Sequence, residues 1–128
     1  MFSHVMLGAD DLDAAKRFYD ATLGVLGVPE GVIDTLGRLV YSHNGARFLI
    51  SRPINGEPAT HANGGTLGFA MDSPEQADAW HAAGLAHGGT AIEAPPGIRN
   101  APVGKLYLAY LRDPAGNKLC ARHLVEAV

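Results

Sequence analysis

Only one cysteine, Cys120, occurs in 128 residues, which excludes an internal disulfide framework and a thiolate zinc cluster. No excess of positive charge exists either: 10 Lys and Arg stand against 13 Asp and Glu, a net charge of −3. No broad basic field is therefore available to draw in nucleic acid or an anionic membrane, and neither is expected as a partner. No apolar run approaches the ~20 residues of a membrane-spanning helix. The opening MFSHVMLGADD lacks the basic flank and apolar stretch of an export signal, so a cytoplasmic location is expected. GxxxxGK, GxGxxG, GxSxG and CxxC motifs are all missing, which disfavours ATP, dinucleotide and serine-hydrolase chemistry. What the chain does contain is 47% apolar residues, enough for one core, and 16 glycines and 8 prolines, which favour sheet with tight turns over a helical bundle.

The chain also repeats itself. Sliding it by 62 residues sets HVMLGADDLDAAKRFYDATLG (4–24) against TLGFAMDSPEQADAWHAAGLA (66–86), with identities at Asp10/Asp72, Ala15/Ala77, Ala21/Ala83 and Leu23/Leu85. The shared periodicity matters more than those identities. Each segment reads as a short apolar strand, a capping residue and a helix whose apolar stripe is Ala15, Phe18, Thr22 and Leu23 or Ala77, Trp80, Gly84 and Leu85. Each helix is predicted to cover one face of a sheet.

An offset of 71 then sets RLVYSHNGARFLISR (38–52) against AYLRDPAGNKLCARH (109–123), two β-hairpins, the second marked by Asp113-Pro114-Ala115-Gly116-Asn117. Further strands are expected at Val32–Thr35 and Thr90–Glu93, giving β-α-β-β-β twice. The fold class is α+β: one domain over 1–128, with modules at about 1–53 and 65–125 joined by loop 54–64. The Pro- and Gly-rich stretch 94–105 reads as a second loop, and both loops are long enough to rim a cavity.

The doubled pattern, the opening HVMLGADDLDAAKRFYDATLG and the closing LYLAYLRDPAGNKLCARH resemble the vicinal oxygen chelate superfamily, which includes glyoxalase I, extradiol dioxygenases, fosfomycin-resistance enzymes and bleomycin-resistance proteins. The resemblance implies paired modules, usually in a homodimer, whose mixed sheets curl around a small-molecule cavity. It also implies a divalent metal held by the first and last strands of each module. Those positions are His4, Leu49, Thr66 and Cys120 here, and His4 alone is a normal ligand in its usual place. Leu49 has no donor atom, a threonine hydroxyl is a poor ligand, and a thiolate is soft where the family commonly uses carboxylate. No metal or other cofactor is therefore expected; His61, in the inter-module loop, is the residue from which one would have to be completed.

Strand alternation sorts these residues by face. If His4 looks into the cavity, so do Met6, Gly8, Thr66, Gly68 and Ala70, while Val5, Leu7, Leu67 and Phe69 meet the helices. Pairing Arg112 with Asn117 adds Tyr107 and Ala109 to the cavity face, across from Cys120 and Arg122. The predicted ligand-binding set is Arg38, Arg47, Thr66, Tyr107, Lys118, Cys120 and Arg122, whose four cations suit a carboxylate, phosphate or sulfonate. His4 is the candidate catalytic base. Arg99 and Asn100 are further loop candidates, and Asp113 to Asn117 are assigned to turn geometry.

The expected function is binding of a small polar or anionic metabolite. Two versions stand: a glyoxalase-like lyase or isomerase with a degenerate metal site, and a non-catalytic, resistance-type dimer that sequesters its ligand. A metal-dependent dioxygenase is disfavoured by the missing ligands.

Overall fold

A computed structural model describes residues 1–128. The first module comprises strand β1 (His4–Gly8), helix α1 (Leu12–Gly24), and strands β2 (Val32–Ile33), β3 (Leu39–His43) and β4 (Ala46–Ser51). The second comprises β5 (Leu67–Ala70), α2 (Pro74–Ala86), β6 (Thr90–Ala91), β7 (Gly97–Ala101), β8 (Gly104–Arg112) and β9 (Lys118–Ala127). Two mixed sheets result, ordered β1-β4-β3-β2 and β5-β9-β8-β6, with β7 added on β8, and neither closes. The α+β paired-module class predicted from the repeat is the one observed.

Local chemistry starts both helices where the repeat places them. The Asp11 side chain accepts from the amide of Ala14 at α1, and Ser73 accepts from that of Gln76 at α2, whose first turn holds Pro74. After α2, Gly88 at φ 96° lets the chain turn back, so that the amide of Gly89 donates to the carbonyl of Gly84. The predicted stripes are buried except for Leu85, which is 47% exposed; Tyr19 and Leu12 join the buried face of α1 instead. The helices touch at matched positions. A Cβ on Gly84 would sit 3.2 Å from Phe18 and 3.4 Å from Thr22.

A single core joins the modules. Phe18, Tyr19, Tyr41 and Phe48 from the first pack with Trp80, Leu111 and Leu119 from the second, and the rings of Phe48 and Phe69 meet edge to face at 5.8 Å across the seam. Each of these large apolar side chains contributes about 1.5–3 kcal/mol by leaving water.

The two hairpins turn differently. Asn44 and Gly45 carry φ of 51° and 80°, the two-residue turn that suits strand twist, and His43 pairs with Ala46. In the second hairpin Asp113 faces Asn117, leaving Pro114, Ala115 and Gly116 as a three-residue loop with Gly116 at φ 93°. Arg112 therefore pairs with Lys118, not Asn117, and Tyr110 with Cys120. That one-residue shift corrects the face of Tyr107 and Ala109: both turn toward the helices, where Ala109 is fully buried and the Tyr107 hydroxyl donates to Asp78 on α2.

A second correction concerns 94–105. Gly97–Ala101 is a strand, paired antiparallel with β8. The β7–β8 connection closes on Gly104, which pairs with Ala101 and carries a φ of 134° that favours glycine. The strands expected at Val32–Thr35 and Thr90–Glu93 are shorter, two residues each.

Candidate functional site

The helices cover one face of each sheet. On sheet one, His4 lies beside Arg47, Met6 beside Leu49 and Gly8 beside Ser51 on the other face, which is the shared face that alternation predicts; it is open at His4 and Met6 and closed at Leu49. On sheet two, Gly68 lies beside Cys120 and Ala70 beside Arg122, with Tyr110 and Leu108 across β9.

A cleft of about 750 Å³ opens at the seam, where the start of β1 and the β3–β4 hairpin approach β5. Its floor is apolar: Leu23 from the end of α1 and Leu26 and Val28 from the segment that follows it, with Tyr41, Phe48 and Phe69. His4, Arg47 and Thr66 stand on its walls, and Asp72 and His43 also line it. The Nδ1 of His4 lies 2.7 Å from the Ser3 hydroxyl, which leaves Nε2 for whatever occupies the cleft. An apolar floor with a few polar groups at its edge is the usual make-up of a small-molecule site.

The opposite end of the seam is shut. There the β8–β9 turn reaches the end of β1: the Asn117 side chain donates to the carbonyl of Gly8 at 3.0 Å, and the Tyr19 hydroxyl donates to Asp113. Asp113 also accepts from the amides of Ala115 and Asn117 and from the Asn117 side chain. Burial first, then the Asp113 charge, pushes the Tyr19 hydroxyl well above its ordinary pKa. In the 71-residue alignment Ser42 and Ala46 stand where Asp113 and Asn117 do. The first hairpin thus lacks the lock, and the cleft lies where a lock would be.

The predicted site residues divide. His4, Arg47 and Thr66 share the cleft. Thr66 and Lys118 share a second, smaller pocket with His61 and Arg112. Arg38 is tied to Asp34, 2.7 Å away, and lines neither. Arg122 is exposed on the open face of sheet two. Lys118 pairs with Glu93 and lies 5.0 Å above the ring of Tyr110. The four cations therefore do not converge on one point. Arg99 spends its guanidinium on the carbonyls of Gly97, Ala94 and Pro95, bracing its own segment.

Cys120 is buried with Leu106 and Leu108, and burial above all raises its pKa, keeping the thiol neutral. Burial followed by the neighbouring Cys120 raises that of Tyr110. Arg112 and Tyr110 escaped sequence reasoning because the wrong register put them on the helix side; the three-residue loop after Asp113 was the signal that could have found them.

Two strand-helix-strands modules, fused through a shared core and parting into a cleft at one end of their seam, define a paired-module α+β fold. The chain belongs to the Glyoxalase/Bleomycin resistance protein/Dioxygenase superfamily, whose family model matches residues 1–121. It is similar to the crystal structure of a glyoxalase/bleomycin resistance protein from Albidiferax ferrireducens T118, with 62% identity, 96% of this chain and 98% of that one covered, and a TM-score of 0.92. A lactoylglutathione lyase from Agrobacterium tumefaciens aligns at 26% identity over 95% of this chain and 92% of its own, with a TM-score of 0.65. A glyoxalase-related enzyme from Fulvimarina pelagi shares the fold at 20% identity and a TM-score of 0.72, over 95% of this chain and 86% of its own. No curated protein matches.

The residues at the family's metal positions do not fit a divalent ion. Leu49 is buried and offers no donor, Thr66 offers a neutral hydroxyl, and the thiol of Cys120 is held protonated. His61 does not line the cleft with His4, and no group of three or more His, Cys, Asp or Glu side chains gathers anywhere in the chain.

Proposed function

We propose that this protein binds a small metabolite with an apolar body and a carboxylate or similar anionic group in the cleft between its modules. The cleft itself carries the reading: about 750 Å³ of space over an apolar floor, with Arg47, His4 and Thr66 at its edge. Arg47 supplies a fork of donors for the anionic group, and the floor supplies the burial. Without a fitting metal set, binding does not run through two chelated oxygens, and sequestration of the ligand is the reading that the cleft alone supports.

A second reading has its own support. His4, oriented by Ser3 and open to the cleft, is placed to move a proton on a bound substrate, as a lyase or isomerase requires.

A thermal-shift screen of aromatic and aliphatic carboxylates supplies the ligand, since binding to the folded state alone raises Tm. Titration calorimetry then follows two variants. Arg47→Met is expected to weaken binding about tenfold or more, the loss of one charge-assisted contact. His4→Ala separates the readings: a sequestering protein keeps its affinity, and an enzyme working through His4 loses turnover. Unchanged affinity in Arg47→Met would refute the cleft as the site.

A further inference from the structure

We infer that the small pocket beneath the inter-module loop binds a phosphate-sized oxyanion. This pocket, about 190 Å³, lies on the far side of Thr66 from the cleft and is lined by His61, Asn63, Gly64, Gly65, Thr66, Arg112 and Lys118, none of them apolar. Its formally charged side chains are both cations, and no carboxylate lines it. The β8–β9 register sets Arg112 directly beside Lys118, so two positive charges meet at the start of sheet two.

Both cations retain donors. Arg112 gives Nη1 to the carbonyl of Gly116 at 2.7 Å, which fixes the guanidinium while Nε and Nη2 have no partner. Lys118 is anchored by Glu93, which stands outside the pocket wall, and an ammonium has three donors. Opposite them His61 rests on the turn, its Cβ and Cδ2 at 3.7 and 3.8 Å from where a Gly116 side chain would begin. Asn63 and Thr66, each with a neutral donor, line the same pocket.

The lining chooses among ligands. An apolar molecule finds no carbon wall, and a metal ion would be repelled by Arg112 and Lys118. A multiply charged oxyanion meets two charge-assisted contacts and several neutral donors, the arrangement that proteins use for phosphate. A single carboxylate would satisfy fewer of them. This site does not depend on the cleft being occupied, and the two adjoin only at Thr66.

Titration calorimetry of the full-length protein with inorganic phosphate, and separately with acetate, tests this. Saturable one-to-one binding of phosphate, stronger than that of acetate, is expected. Arg112→Gln and Lys118→Met should each weaken phosphate binding about tenfold or more, while Arg17→Gln on the far helix surface leaves it unchanged. In the wild-type protein the amides of Gly64 and Gly65 should shift in a ¹H–¹⁵N spectrum as phosphate is added, a readout that needs no variant. Absence of saturable binding at millimolar phosphate, or unaltered affinity in both pocket variants, would overturn the proposal.

Discussion

Removing the Tyr19 hydroxyl would leave the Asp113 carboxylate buried with one donor fewer, though nothing else in the core changes shape. Tyr19→Phe is therefore expected to lower stability by about 1–3 kcal/mol, read from the urea unfolding midpoint at an unchanged slope. A neutral result would mean that water takes the place of the hydroxyl and that the lock is loose. At this scale strand alternation places His4 and Arg47 side by side, because parity along a strand follows from backbone geometry alone, but the cleft at the seam also takes in Val5, Leu67 and Phe69 from the other face. It failed for Tyr107, since parity across a hairpin depends on how many residues the turn takes up. Asp113 and Asn117 are readable from sequence as turn formers; their reach to Tyr19 and Gly8 is not, because it joins residues 94 and 109 positions apart.

Helix against sheet, the packing depends on one absent side chain. A Cβ on Gly84 would lie 2.3 Å from Leu111. Alanine improves helix propensity by about 1 kcal/mol over glycine, but overpacking a full core costs about 1–3 kcal/mol, and here the clash also involves Phe18. Gly84→Ala should therefore lower Tm by several degrees in a calorimetric scan, while Gly24→Ala, at the end of the partner helix with open space around it, should not. A rise in Tm for both variants would leave propensity as the only effect at work. Both helices were evident in the sequence because Asp11, Ser73 and Pro74 begin them and their stripes recur at matching positions. Strand β7 was not evident. Gly97-Ile98-Arg99-Asn100-Ala101 has little of the alternation or branching that marks a strand, and it is one because β8 offers an edge for it to pair with.

Over the whole molecule, the open faces remain to be accounted for. Met6 at 44% and Leu124 at 41% exposed lie on the uncovered sides of sheet one and sheet two. We propose that a second copy covers them, as the homodimer implied by the resemblance would. Light scattering on a gel-filtered sample should give twice the mass of the 13.4 kDa chain. A monomer at micromolar concentration would dismiss the proposal and leave the cleft to be served by one chain. No helix is long and apolar enough to cross a membrane. The repeat made the architecture legible in the sequence, because two segments with one pattern demand two similar structures. It did not show where the copies differ in contact, and that difference decides where the cleft is.

Duplication produces a joint with two equivalent ends, and only one of them has to hold. In this chain Asp113 and Asn117 hold it, and their counterparts Ser42 and Ala46 carry no such duty. Residues released from that duty can change without endangering the fold. The end that is not fastened is thus the one at which a ligand can enter this chain without breaking a contact that holds the modules together.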